Sequence, residues 1–208
     1  MIDQPFRAKL DLLSAKISKI YLTLHLRPNH ITLLAFAFAI GAAVSIGIGQ
    51  TYLALSIWWI SRFFDGTDGL YARYIRQTTH FGAYLDIVLD MAAYSAVIIG
   101  FEFLYPHLAI YWSVIIALYV LCITSALALG QLDSQNNNAS SSLANRSKLD
   151  NRGAKLASGL AEGGETGLIY TAFILFPNFL QPLLIFWISI LSITVVARSL
   201  VAWRELNS

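Results

Sequence analysis

Residues 65–73, Asp-Gly-Thr-Asp-Gly-Leu-Tyr-Ala-Arg, and residues 82–90, Gly-Ala-Tyr-Leu-Asp-Ile-Val-Leu-Asp, set four carboxylates into a strongly apolar chain. Asp65 and Asp68 are three apart and Asp86 and Asp90 four apart, so on helices each pair projects from one face. Around them 57% of the 208 residues are hydrophobic and mean hydropathy is +0.61, which excludes an ordinary soluble domain. Ionised groups at membrane depth are costly unless they are paired, hydrated or bound to a cation, so four together mark a functional site.

Uncharged stretches at Ile31 to Gly49, Leu108 to Gly130 and Leu183 to Val196 with its flanks are of membrane-spanning length, and three shorter ones carry charge at one end. The expected fold is all-α and membrane-integral, with six transmembrane helices. All 14 Lys and Arg residues fall on one side of that layout. They are Arg7, Lys9, Lys16, Lys19 and Arg27 before span 1, and Arg62, Arg73 and Arg76 at the span 2 to 3 end. Arg146, Lys148, Arg152 and Lys155 follow between spans 4 and 5, with Arg198 and Arg204 at the C-terminus. Both termini and the carboxylates are therefore expected on the cytoplasmic side.

Phe6, Leu10, Leu13, Ile17, Ile20 and Leu24 recur at spacings of three and four, with basic residues on the other faces. This predicts an amphipathic helix over 1–27 lying on the anionic cytoplasmic leaflet, ahead of a six-helix bundle over 28–206. Pro28 and Asn29 break the first helix and cap the next. The Asn/Ser-rich tract Gln135 to Ser142 reads as flexible, and no second domain is visible, so 1–208 is expected to form a single membrane-embedded domain. Cys122 is the only cysteine, which excludes an intrachain disulfide, and a net charge of +2 gives no reason to invoke nucleic acid.

Counted from the outer turns, Asp65 lies 14 residues from Thr51 and Asp90 lies 14 residues from Leu104. At ~1.5 Å per residue both sit roughly 21 Å along their helices, with Asp68 and Asp86 near each other's level. Two antiparallel neighbours would then present a cage of four carboxylates. Such a cage cannot stay fully ionised without cations, and two divalent ions balance it formally. Oxygen-only ligation suits Mg²⁺ or Mn²⁺, which commonly bind through carboxylates and substrate phosphate oxygens, so a diphosphate substrate follows. Gly66 and Gly69 leave room for a ligand, and Arg73 can pair with a phosphate.

The pattern Asp-x-x-Asp-Gly-x-x-Ala-Arg, eight residues, then Gly-x-x-x-Asp-x-x-x-Asp resembles the signature of the CDP-alcohol phosphotransferases. Asp65, Asp68, Gly69, Ala72, Arg73, Gly82, Asp86 and Asp90 fill it without a gap. The resemblance implies a homodimeric membrane enzyme of phospholipid synthesis. Such an enzyme moves a phosphatidyl or phosphoalcohol group from CDP-diacylglycerol or another CDP-alcohol to an alcohol acceptor and releases CMP. It implies metal ligation by Asp65, Asp68, Asp86 and Asp90, with Asp90 as general base. It also implies that Asp65, Asp68, Gly69, Arg73 and Gly82 face the CDP moiety, with Thr32 and Asn29 approaching it from the start of span 1.

The acceptor is not named by the same motif. Phosphatidylglycerophosphate synthases of the family carry a proline and a lysine through the second aspartate pair, and here Ile87 and Met91 occupy those places. Candidate acceptor-binding residues are Arg152 and Lys155, which suit a phosphate, and Glu162 and Glu165, which suit hydroxyls or an amine. The same residues also fit a flanking positive cluster and favourable charge at a helix N-terminus. A membrane transporter coupled to divalent cations or protons would use the same four aspartates, although the cytoplasmic bias of the carboxylates disfavours it.

Overall fold

Pro28 opens the first long helix, α1 (Pro28–Gly47), at a position where its missing N–H leaves no bond unmade. Arg27 precedes it in extended conformation (φ −94°, ψ 153°), and the Arg27 N–H donates to His30 Nδ1 at 3.4 Å. Asn29, expected to cap the helix, lies inside its first turn. The computed structural model describes residues 15–139 and 163–206, and among these the regular elements are helical. They fall into two compact units, one ending at Leu104 and the other starting at Tyr105.

The first unit comprises α1, α2 (Thr51–Tyr74) and α3 (His80–Leu104), with α1 packed against both neighbours. Its contact face is built from small residues: Ala35, Ala39, Ala42 and Ala43 are buried, while Leu33, Leu34, Ile40 and Val44 are exposed. This is how a helix packs in lipid, where small side chains let backbones approach and large apolar ones face hydrocarbon. Ser61 Oγ donates to the Ala35 carbonyl at 2.8 Å, pinning α2 to α1.

The tightest approach is at Gly100 of α3, where a Cβ would run into the Ala43 backbone carbonyl. Backbone cannot swing aside as a side-chain tip can. Gly100→Ala is therefore expected to push α1 and α3 apart at a cost of about 1–3 kcal/mol, seen as a lower Tm of the detergent-solubilised protein. An unchanged Tm would show that this contact does not set the helix spacing.

Residues 15–23 are helical, residues 1–14 of the expected amphipathic helix lie outside the described residues, and the helix ends before residue 27, in a turn at Leu24 and His25 where His25 takes a φ of 53°. Its visible end is anchored to protein as well as presenting apolar groups outward. Tyr21 is buried with Ile31 and Tyr71, and Ile17 packs alongside. Tyr21 and Tyr71 meet edge to face at 5.4 Å. Ile20 and Leu24, by contrast, are exposed. The Tyr21 hydroxyl is 2.9 Å from Thr67 Oγ1, which itself donates to the Phe63 carbonyl, so Tyr21 is the donor of that bond.

The second unit begins with a 3₁₀ turn at Pro106–Leu108 and α4 (Ala109–Ala139), which continues into the tract expected to be flexible. After α5 (Gly163–Leu175) comes a second 3₁₀ turn, Pro177–Phe179, leading into α6 (Leu180–Leu206). α4 and α6 pack together, and Trp187 Nε1 donates to the Tyr119 hydroxyl at 2.9 Å between them. Arg198, counted by sequence among the cytoplasmic cations, is buried within α6 and donates to the Cys122 carbonyl at 2.6 Å.

Among the described residues, four helical stretches are long and apolar enough to cross a bilayer: Pro28–Gly47, His80–Leu104, Pro106–Gln131 and Pro177–Arg204. The chain is an all-α membrane protein. The helices α2 and α5 fall short of that measure, the first because it carries Arg62, Asp65, Asp68 and Arg73, the second because it has only 13 residues.

Candidate active site

The signature residues meet where the second half of α2 faces the first half of α3. Asp65, Asp86 and Asp90 each offer one carboxylate oxygen, and these oxygens lie within 4.8 Å of one another. Asp65 and Asp90 are partly buried and Asp86 is exposed, so the group opens to one side. Three oxygen donors at this spacing fit a divalent cation: a small inward movement brings them into one coordination shell, and the all-carboxylate set favours a hard ion such as Mg²⁺ or Mn²⁺.

Asp68 sits apart from that group. It is buried, its Oδ2 accepts a hydrogen bond from Thr32 Oγ1 at 2.6 Å, and its Oδ1 accepts from the Gly69 N–H. The helical phase that gives Asp68 and Asp65 a common side therefore leaves them with different neighbours. Thr32, one turn into α1, takes the first.

Beside the carboxylates lies a cleft of about 200 Å³ bordered by α1, α2, the following loop and α3. Asn29, Thr32, Asp68, Gly69, Arg73 and Gly82, all expected to face a nucleotide, line it together, and Asp65 does not. Asp86 lines the cleft and also belongs to the three-carboxylate group, so it joins the two.

Gly82 keeps this space open. A Cβ there would lie 3.1 Å from Thr79 Oγ1 and 3.3 Å from Asn29 Oδ1, tighter than ordinary contact. Its own N–H donates to Thr79 Oγ1 at 2.9 Å and fixes the loop into α3. The guanidinium of Arg73 folds back toward Gly69, passing 3.5 Å from where a Cβ on residue 69 would be. An anion in the cleft would thus meet Arg73, the hydroxyl of Thr32 and the amide of Asn29.

Sequence reasoning missed Arg62. Its side chain is only 8% exposed, so it is no surface anchor. Nη1 donates to Asp90 Oδ1 at 3.0 Å, to the Tyr94 hydroxyl at 3.2 Å and to Asp65 Oδ2 at 3.3 Å. The readable signal was helical phase, since Arg62 lies one turn before Asp65 and Tyr94 one turn after Asp90. Gln77, Thr78 and Thr79, which line the cleft from the loop, carried no such signal. Of the residues expected to contact an acceptor, Arg152, Lys155 and Glu162 lie outside the described residues, and Glu165 is exposed in the first turn of α5.

Comparison with known proteins matches this arrangement to one family. The chain is 41% identical to the CDP-diacylglycerol–inositol 3-phosphatidyltransferase of Candida albicans over 64 residues, which is 31% of this chain and only 28% of that protein. It is 33% identical to the inner membrane protein YnjF of Escherichia coli over 158 residues, covering 72% of this chain and 70% of the relative. The Mycobacterium tuberculosis phosphatidylinositol phosphate synthase, solved with CDP-DAG bound, shares the fold at a TM-score of 0.63 and 19% identity, over 91% of this chain and 93% of that one. The same synthase in complex with manganese and citrate gives a TM-score of 0.58 at 18% identity, over 91% and 88%. Residues 25–196 match the family model described as CDP-alcohol phosphatidyltransferase, and the chain belongs to that family of phosphotransferase enzymes.

Proposed function

We propose that this protein transfers a phosphatidyl group from CDP-diacylglycerol, or a related CDP-alcohol, to an alcohol acceptor and releases CMP, as a step of phospholipid synthesis. The observation that carries the reading is Asp86, shared between the cleft and a three-carboxylate group. A substrate whose diphosphate lies at Asp86 would place its nucleotide in the cleft and its reacting phosphorus beside Asp65 and Asp90. The mycobacterial synthase, similar in fold, has been solved both with CDP-DAG and with manganese, which supports this donor and a divalent ion here.

Asp65, Asp86 and Asp90 would hold the cation, with Asp68 completing the set from the cleft side, and a second ion is in keeping with four carboxylates. When bound, Mg²⁺ or Mn²⁺ supplies the positive charge that offsets the diphosphate and the leaving CMP. Asn29, Thr32 and Arg73 bind and orient the CDP portion, Arg73 by charge-assisted hydrogen bonds. Asp90 accepts the proton of the acceptor hydroxyl as its oxygen attacks the lipid-linked phosphorus. A new oxygen–phosphorus bond forms there, the bond to the CMP oxygen breaks, and CMP departs with the electron pair.

The same reading places α2 and α5 across the membrane, giving six spans. The 24 residues of α2 are long enough, at ~1.5 Å each, for the crossing, and its charges cluster in the half that bears the site. Both termini and the cleft then face the cytoplasm, 1–27 lies along the leaflet, and the enzyme works as a homodimer in a bacterial inner membrane. The family match runs across both compact units, which supports treating 1–208 as one domain.

The test is CMP release by purified protein in liposomes with CDP-diacylglycerol, Mg²⁺ or Mn²⁺ and a panel of alcohols that includes inositol, glycerol 3-phosphate and serine. One acceptor is expected to give metal-dependent CMP and a matching lipid by mass spectrometry. If none does, the reading fails, and cation flux in the same liposomes would favour a transporter.

A further inference from the structure

Arg62 occupies a place that membrane topology alone does not explain. A guanidinium within a helix bundle is costly, and this one is held on every side. Its carbon lies 4.6 Å from the centre of the Trp58 ring and 5.2 Å from that of Tyr94. Nη2 donates to Ser61 Oγ at 3.2 Å, and Ser61 is itself bonded to α1. Nε is buried and has no hydrogen-bond partner among the described residues. The bonds of Nη1 and Nη2 and the two flanking rings set the group's position. They fix it with one nitrogen against both Asp65 and Asp90.

We infer that Arg62 is a positioning residue, a built-in monovalent cation that clamps Asp90 to Asp65 and shares the carboxylate group with the metal. The inference rests on the proposed reaction but concerns a residue outside the signature. Two consequences follow from the geometry. With one Asp90 oxygen engaged at 3.0 Å, the carboxylate is held in one orientation with its other oxygen left for a proton, which is what a general base needs. And a fixed positive charge beside Asp65 and Asp90 repels a divalent ion, so the site binds its metal less tightly than the bare carboxylates would. Arg62 does not line the cleft, so it has no direct part in holding the nucleotide.

These consequences have opposite signs, which separates positioning from mere support of the fold. Wild-type protein, Arg62→Met and Arg62→Lys, each checked for monodispersity in detergent, would be titrated with Mn²⁺ by the EPR signal of the free ion and assayed for CMP release. Arg62→Met is expected to bind Mn²⁺ about tenfold more tightly, because a like charge a few ångströms away is gone, while kcat falls about 100-fold and KM for the CDP donor stays within about threefold. Arg62→Lys keeps the charge but loses the fork and the ring stack. Its Mn²⁺ affinity is expected within about threefold of wild type, with kcat down about tenfold.

Weaker or unchanged Mn²⁺ binding in Arg62→Met, or wild-type kcat in Arg62→Lys, overturns the inference. If the methionine variant does not fold, the lysine variant decides alone through its split between kcat and metal affinity. If wild-type protein releases no CMP with any alcohol, the proposed reaction fails, and the Mn²⁺ comparison still decides whether Arg62 shares the carboxylates with the metal.

Discussion

Asp90→Asn is expected to abolish alcohol-dependent CMP release, by at least about 10³-fold in kcat, while leaving the protein folded and KM for the CDP donor little changed. Asparagine has nearly the same shape and keeps an oxygen for the Arg62 bond at 3.0 Å, so α2 and α3 stay joined. What it cannot do is accept a proton at neutral pH, and its amide oxygen is a weaker metal ligand than a carboxylate. Asp90 does not line the cleft, so nucleotide binding should survive. Steady-state kinetics of purified variant and wild type check the result. A kcat within tenfold of wild type would remove Asp90 from the base role.

The second large effect is metal removal. Three carboxylate oxygens within 4.8 Å of one another repel, and Arg62 supplies one positive charge against them. Dialysis against EDTA is expected to eliminate CMP release and to lower Tm. Added Mg²⁺ or Mn²⁺ is expected to restore both. An ion present at 100 times its Kd stabilises the folded state by about 2.7 kcal/mol, enough for a shift of several degrees. In Asp65→Asn or Asp86→Asn the metal-dependent part of the Tm shift should shrink, which separates this site from adventitious binding elsewhere. Full activity after exhaustive chelation would contradict a metal-dependent mechanism.

How much of this was legible in the sequence depends on what carried the information. Residue counts along α2 and α3 put Asp65 level with Asp90, and one guanidinium nitrogen reaches both. The spacing was readable because α2 and α3 are uninterrupted helices running in opposite senses from a short loop. Asp68 shows the limit of counting. Its helical phase suggested a fourth member of a cage but gave no sign that Thr32 of α1 engages it, because a contact between helices is invisible to a count along one of them.

Charge placement was silent on side-chain direction in a similar way. Arg62 and Arg198 belong to the cytoplasmic set by position, yet both are turned inward, to carboxylates and to a carbonyl respectively. The positive-residue rule concerns loops and averages, and it does not say which way a helical side chain points. Small residues on α1 were readable only as apolar content. That Ala43 lies against Gly100 required the packed helices.

Thr67 fills one of the two places that the pattern from Asp65 to Asp68 leaves unspecified, and it is nonetheless engaged, by the hydroxyl of Tyr21 some 46 positions earlier. The structural constraint on this turn therefore extends beyond the named letters of the signature. In an alignment of relatives, positions 21 and 67 should change as a pair, tyrosine accompanying a hydroxyl residue and phenylalanine an apolar one. The buried tyrosine ahead of α1 and the turn that carries the aspartates would then share one evolutionary history.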